Sequence, residues 1–171
     1  IKKKIKIYDL LISFGGSDNY KGSLYVMKLL SKIKIKKRIV VTIGKYFGKR
    51  YKKQIISFAK SNNFQAKLFT KKFNNILNKS KILITNSGLT KYEGLMHGMP
   101  VIIFSDNKES NKIDKIFKKK TNQIHFSNKR NFNEDKLKLE NTLMADSILN
   151  SFDKEKVKSN IKKLKNFFEN E

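Results

Sequence analysis

The sequence contains no cysteine and no tryptophan, and it has only one proline and eight glycines among its 171 residues. Without cysteine, neither a disulfide nor a thiolate metal site can form. No apolar run approaches the roughly 18–20 residues that a membrane-spanning helix needs. The segment 1–7 lacks the long apolar run and the small-residue cleavage site of a signal peptide. Because no Pro- or Gly-rich linker divides the chain, we expect a single domain, 1–171. The absence of cysteine and of a visible signal peptide makes the cytoplasm the expected location.

The charge is mostly of one sign, since 39 Lys and Arg stand against 14 Asp and Glu and give a net charge of +25. Such an excess suits nucleic acid or an anionic membrane surface. However, the only arginines are Arg38, Arg50 and Arg130, and arginine reads bases and phosphates better than lysine does. The lysines are spread through every segment, as the codon bias of an AT-rich genome would also produce. We therefore expect no specific nucleic-acid partner, while peripheral membrane contact and a non-catalytic polyanion-binding module stay open.

Apolar runs of strand length alternate with segments of helical periodicity from residue 8 to residue 126. The predicted strands are 8–14, 38–43, 65–69, 81–86, 101–104 and 123–126, and the predicted helices between them are 23–33, 49–62, 74–79, 89–97 and 110–119. This alternation is typical of right-handed crossovers, which build a parallel sheet with helices on both faces. We predict a Rossmann-like three-layer α/β/α domain with a parallel sheet of about six strands. C-terminal helices are predicted to follow in residues 134–171.

The most informative stretch is Asn86-Ser87-Gly88-Leu89-Thr90-Lys91-Tyr92-Glu93, which lies between two apolar strands. Ligands of a doubly wound sheet bind at the carboxyl ends of its strands. There, backbone N–H groups and the helix dipole hold a diphosphate, and a carboxylate such as Glu93 accepts from ribose hydroxyls. The same residues have an alternative interpretation that needs no ligand. Thr90-x-x-Glu93 is also a capping box, and Ser87 or Thr90 is also an ordinary N-cap.

A second glycine turn, Gly15-Gly16-Ser17, follows the first predicted strand and is expected at the same edge of the sheet. It lacks the G-x-G-x-x-G spacing, and the chain has no G-x-x-x-x-G-K-[ST] loop, so an NTPase is not expected. No spacing of metal ligands is evident, and we expect no metal and no cofactor. His97 is interpreted as a helix-end residue and His125 as a packed strand residue. Asp18 and Asp106 lie in loops, but no geometry makes either a general base, so the catalytic residues are unknown.

Four motifs occur in the order seen in the C-terminal half of GT-B nucleotide-sugar enzymes. They are Phe14-Gly15-Gly16-Ser17-Asp18, Leu68-Phe69-Thr70, Ser87-Gly88-Leu89-Thr90-Lys91-Tyr92-Glu93 and Asn107-Lys108-Glu109-Ser110. The chain most resembles the UDP-sugar hydrolase of pseudaminic acid biosynthesis, in the SpsG-like group of spore coat polysaccharide proteins. It is more distantly similar to the N-acetylglucosaminyltransferase that forms lipid II. The resemblance covers most of residues 8 to 126.

This resemblance implies a UDP-sugar site. The implied nucleotide contacts are Gly16 and Ser17 with the phosphates, Phe69 and the Thr70 backbone with uracil, Ser87, Gly88, Leu89 and Thr90 with the diphosphate, and Glu93 with the ribose. The implied sugar contacts are Asn107, Glu109 and Ser110. The family also implies an N-terminal Rossmann-like domain of the same chain across a cleft. Since the sequence begins with Ile1 and soon becomes strand-like, we expect a fragment of such a two-domain protein.

The resemblance implies a hydrolase of bacterial surface-glycan synthesis, in which water attacks the sugar inside the interdomain cleft. The first and last of the four motifs favour this activity. A UDP-sugar-dependent glycosyltransferase with the same fold is the alternative. In either case we expect the chain to lack activity alone, because half of the walls of the cleft are missing.

Overall fold

The computed structural model of the protein describes residues 6–33, 36–68, 73–121 and 123–145. Six strands and six helices alternate along this described part. The strands are β1 (Tyr8–Ser13), β2 (Ile39–Ile43), β3 (Gln65–Leu68), β4 (Ser80–Thr85), β5 (Val101–Phe104) and β6 (Ile124–Phe126). The helices are α1 (Gly22–Lys32), α2 (Lys49–Ser61), α3 (Phe73–Asn78), α4 (Thr90–Met96), α5 (Lys108–Thr121) and α6 (Phe132–Met144). Each predicted strand is therefore present close to its predicted place.

The strand pairings within the described residues are all parallel, and the order across the sheet is β3-β2-β1-β4-β5-β6. The chain builds outward from β1 in one direction and then returns to β4 to build in the other. The topological switch point consequently lies between β1 and β4. This arrangement confirms the predicted α/β Rossmann-like fold.

Helices cover both faces of the sheet, and its central strands are therefore apolar along most of their length. Leu10 and Ile12 belong to a core shared with α1, α2 and α6, whereas Leu11 and Leu83 belong to a second core shared with α3, α4 and α5. These four side chains are fully buried. Helix α4 lies close to the sheet because Gly94 has no side chain, and a Cβ there would lie 2.5 Å from Cδ2 of Leu83. The loops at the carboxyl edge thus start from a tightly packed base.

Polar residues in the preceding loops explain why two helices begin earlier than predicted. Helix α5 begins at Lys108 because Asn107 caps it, with the Ser110 N–H donating to Asn107 Oδ1 at 2.9 Å. Helix α6 is capped by Asn131 and ends at Met144. The predicted helical segment beyond residue 145 lies outside the described residues. No helix of the described part is long and apolar enough to cross a membrane.

At the amino edge of the sheet, Asp9 connects three strands. Its carboxylate accepts from Arg38 Nε at 3.2 Å and pairs with Lys81 Nζ at 2.8 Å. Arg38 precedes β2, and Lys81 lies in β4. Partial burial raises the pKa of Asp9, but the hydrogen bonds from Arg38 and Lys81 outweigh burial and hold this pKa well below its usual range.

We expect Asp9→Asn to flatten the acid limb of the stability curve. An Asp whose pKa is lowered in the fold stabilises it above the unfolded pKa of about 3.9, and this contribution is lost as the pH falls further. At pH 7 the substitution should cost about 1 kcal/mol or less, because both cations are partly exposed. Urea unfolding at several pH values between about 2 and 7 measures the effect. A difference between parent and variant that is constant over this range would contradict the assignment.

Candidate functional site

The loops that follow β1, β4 and β5 emerge side by side at the carboxyl edge of the sheet. Ser13 is in register with Thr85, and Thr85 is in register with Ile103. The Thr85 hydroxyl also donates to the Ser13 carbonyl at 2.6 Å, at the switch point between β1 and β4. Three of the four motifs from the sequence therefore meet at one edge. Phe69 and Thr70, which carry the other motif, lie outside the described residues.

Two side-chain hydrogen bonds join these loops. Asn86 Nδ2 donates to Asp106 Oδ2 at 3.0 Å, which connects the loop after β4 to the loop after β5. Asn107 Nδ2 donates to the Tyr20 hydroxyl at 3.5 Å, which connects the loop after β5 to the loop after β1. The predicted phosphate and sugar residues of these loops are thus brought together at one edge of the sheet.

In the first loop, Asp18 is a buried helix cap. Its carboxylate accepts from the N–H groups of Gly22 and Ser23 at 2.7 and 2.9 Å and from the Tyr51 hydroxyl at 2.6 Å. Burial raises the pKa of Asp18, while these donors oppose the rise. Because Asp18 occupies the first N–H groups of α1, this helix start is not open to a phosphate. The same contacts leave Asp18 unsuited to the role of a general base.

The loop after β2 supports the first glycine turn. The Tyr46 N–H donates to the Gly16 carbonyl at 2.9 Å, and a Cβ on Gly44 would lie 2.3 Å from the Gly16 carbonyl oxygen. Only glycine permits this approach of two backbones. Gly16 and Ser17 themselves are exposed. This role of Gly44 could not be predicted from the sequence, because a contact between residues so far apart in the chain leaves no local signal.

The turn after β4 is held by side chains rather than by a capping box. The Ser87 hydroxyl donates to Asp114 Oδ2 at 2.5 Å, and the Gly88 N–H donates to Asn86 Oδ1 at 3.2 Å. Helix α4 begins at Thr90, with no side-chain hydrogen bond to its first N–H groups. The alternative interpretation as a capping box or N-cap is therefore wrong. One predicted phosphate donor, the Gly88 N–H, is already bonded within the turn.

The remaining groups of this turn are not engaged. Within the described residues, no acceptor is bonded to the N–H groups of Leu89, Thr90 and Lys91. Glu93 is half-buried one turn later, and its carboxylate has neither a hydrogen-bond nor an ion-pair partner in the described part of the chain. Donors for a phosphate and an acceptor for ribose hydroxyls therefore lie on the same turn.

The predicted sugar residues lie at the start of α5. Asn107 uses its Oδ1 to cap this helix, so its Nδ2 is the group that faces the loop after β1. Ser110 is half-buried and Glu109 is exposed. Contacts between these three residues and a sugar stay predictions.

Asp106 is a half-buried carboxyl with a raised pKa. Burial raises the pKa of Asp106 to about 6; the hydrogen bond from Asn86 opposes this rise, and the charge of Asp18 adds to it.

The two histidines lie as predicted: His97 ends α4, with its Nδ1 3.1 Å from Asn78 Oδ1, and His125 is buried in β6.

Solved structures similar to this fold include the glycosyltransferases WaaG and TarM. WaaG, a glycosyltransferase involved in lipopolysaccharide biosynthesis, matches with a TM-score of 0.67 at 12% identity, over 92% of this chain and 42% of that chain. TarM matches with a TM-score of 0.61 at 15% identity, over 98% of this chain and 37% of that chain. A TarM variant from S. aureus, in complex with Fondaparinux, alpha-GlcNAc-glycerol and UDP, matches with a TM-score of 0.64 at 14% identity, over 97% and 36%. The protein has the fold of a GT-B glycosyltransferase domain.

The chain spans about two fifths of the length of these GT-B proteins. No protein-family model and no curated protein matches its sequence. The resemblance to GT-B nucleotide-sugar enzymes is confirmed for the fold. Its finer form, the likeness to the SpsG-like hydrolase group, gains no support, because the similar structures are GT-B glycosyltransferases and no observation indicates hydrolysis.

We expect Gly44→Ala to destabilise the protein by about 1–3 kcal/mol, because the new methyl group would overlap the Gly16 carbonyl oxygen. Gly48→Ala is the matched control, since no atom lies within 4 Å of the Cβ that it adds. The free energy of unfolding in urea measures both variants. Equal stability of the two variants would contradict the close approach of these loops.

We expect Asp106→Asn to stabilise the protein at about pH 7–8 and to have little effect near pH 4. The native state holds Asp106 protonated up to about pH 6, whereas the unfolded chain loses that proton near pH 3.9. Stability contributed by the acid form is therefore lost as the pH rises between these values. Asparagine keeps an oxygen for Asn86 without the charge. Thermal unfolding across this range is the measurement, and a variant less stable than the parent above pH 6 would contradict the prediction.

Proposed function

We propose that the chain is the UDP-sugar-binding domain of a glycosyltransferase. The observation that carries the proposal is the unpartnered, half-buried carboxylate of Glu93, on the same turn as three unengaged N–H groups. This turn lies at the switch point of a doubly wound sheet, where such folds bind their ligands. One similar structure contains UDP.

In the proposed complex, the Leu89 and Thr90 N–H groups donate to the diphosphate, and Glu93 accepts from the ribose hydroxyls. Gly16 and Ser17 approach the phosphates from the opposite side of the crevice. Phe69 and the Thr70 backbone border the uracil, and Asn107, Glu109 and Ser110 contact the sugar.

Sugar transfer from UDP breaks the bond between the anomeric carbon and the diphosphate, so negative charge grows on the leaving diphosphate. Preorganised N–H donors stabilise that charge more strongly in the transition state than in the substrate. The described residues supply this leaving-group side of the reaction. In the proposal, the acceptor side belongs to a further Rossmann-like domain, because the chain corresponds to about two fifths of the similar GT-B proteins.

Transfer to an acceptor is favoured over hydrolysis by the similar structures. The first and last motifs favoured a hydrolase in the sequence, yet Asp18 and Asn107 in these motifs cap α1 and α5. The presence of Asp18 and Asn107 in these motifs is thus explained by helix starts and gives no support to hydrolysis. The similar structures are glycosyltransferases and give the proposal its reaction class.

The test is UDP binding by the parent chain and by Glu93→Gln, measured by calorimetry, with ADP, GDP and inorganic phosphate as competing ligands. Hydrogen bonds to a charged acceptor are worth about 1.5–3 kcal/mol, so we expect Glu93→Gln to weaken UDP binding by about tenfold to a hundredfold. Glu134→Gln is the matched control, because Glu134 is exposed on α6. It makes the same change of charge and should leave the affinity unchanged.

Phosphate affinity should be the same in parent and Glu93→Gln, since phosphate has no ribose. Equal affinity of the parent for every anion, with a steep dependence on salt, would instead identify a polyanion-binding module and overturn the proposal. A gain of affinity in both glutamate variants would show that net charge, and not the ribose contact, governs binding, because each substitution removes one negative charge from a protein that binds an anion.

A further inference from the structure

We propose that Asp114 is the positioning residue of the nucleotide turn, a buried carboxylate that fixes Ser87 so that residues 86–89 keep their ligand-binding shape. The inference rests on the proposed function. Asp114 belongs to none of the motifs found in the sequence, and it lies on α5, outside the loops that line the crevice.

Asp114 is fully buried and accepts from three side chains. Lys91 Nζ lies 2.6 Å from Oδ1, and this lysine side chain is only 2% exposed. The hydroxyls of Ser87 and Ser105 donate to Oδ2 at 2.5 and 2.6 Å. The three donors come from the turn after β4, from α4 and from the residue after β5. One carboxylate thereby ties together the segments that shape the crevice.

The protons in this network fix its direction. Ser87 has one hydroxyl proton, which it donates in the hydrogen bond to Asp114. The hydroxyl is therefore held in a single orientation, and it can only accept a hydrogen bond from a ligand. Ser105 likewise donates its proton to Asp114, and its oxygen then accepts from the Nε2–H of His125 at 2.8 Å. Burial lowers the pKa of His125, which favours the neutral ring, and in the neutral ring this pattern places the proton on Nε2. His125 therefore donates to Ser105, and both Ser105 and Ser87 donate to Asp114.

A buried ion pair is a poor means of stabilising a fold. Desolvation of both charges offsets most of their attraction, and a well-packed apolar pair in the same place is often as stable or more so. Unlike an apolar pair, the pair of Lys91 and Asp114 provides an acceptor of fixed position for the Ser87 hydroxyl. The position of this pair, directly beneath the turn with the unengaged N–H groups, gives it a role in ligand binding.

The test compares UDP affinity with stability in the variant that carries both Lys91→Met and Asp114→Leu. Both charges are removed together, because a single removal would leave the other buried charge unpaired. We expect the variant to fold with a lowered midpoint of urea unfolding, because the buried Ser105 hydroxyl loses its acceptor, while the dissociation constant for UDP rises by about fivefold to tenfold. Ser105→Ala is the control. It removes one donor to Asp114 and the link to His125 but keeps the Ser87 contact, and its UDP affinity should stay within about twofold of the parent.

A cycle with Ser87→Ala separates positioning from general damage. Alone, Ser87→Ala should weaken UDP binding about as much as the apolar pair does. Should the apolar-pair variant fail to fold, Ser87→Ala alone still tests the role of Asp114. In the background of the apolar pair, Ser87→Ala should have no further effect. An unchanged dissociation constant in the folded apolar-pair variant, or in Ser87→Ala, would overturn the role of Asp114 while leaving UDP binding intact. Absence of UDP binding by the parent would overturn the proposed function, and this inference with it.

Discussion

The parallel pairing of β1 with β4 is the constraint on which the rest of the structure depends. Because both strands run in the same direction and Ser13 is in register with Thr85, their carboxyl ends stop at the same level. Their loops must then leave the sheet side by side, with the loop after β5 beside them. A glycine turn and an unpartnered glutamate that are far apart in the sequence consequently share one crevice. The packing of α4 against β4, permitted by Gly94, holds this arrangement from below.

Polar side chains at this edge divide into two groups with different physical roles. The side-chain oxygens of one group accept hydrogen bonds from backbone N–H groups of helices and turns; these residues are Asp18, Asn86 and Asn107. These contacts give the loops a fixed shape without a ligand. Glu93 and the N–H groups before it have no partner in the described part of the chain. A site that must exchange a charged ligand needs both groups, since rigid walls keep the open groups in place while the site is empty.

The sequence was sufficient for the sheet, because each strand is a short apolar run between a helix and a turn, and crossover handedness leaves few arrangements. It was also sufficient for the position of Glu93 at the carboxyl edge. It could not exclude a capping box, since Thr90 and Glu93 fit that motif and only the structure shows that α4 begins after Leu89 without a side-chain cap. Nor could it predict that the Ser87 hydroxyl donates to Asp114, which lies among the lysines of α5 without a distinguishing signal. Helix caps also resembled the motifs of a hydrolase, so the reaction class could not be read from them.

The central claim, that a nucleoside diphosphate binds at the edge shared by β1, β4 and β5, is tested most directly by the amide NMR spectrum of the isotope-labelled chain during titration with UDP. If UDP binds there, the amide signals of four residues should move together and saturate with one dissociation constant; these residues are Gly16, Ser17, Leu89 and Thr90. Signals near Arg38 and Lys81, at the amino edge, should stay in place. Shifts spread over the lysine-rich surface, or shifts that leave the turn of Leu89 and Thr90 unmoved, would contradict it.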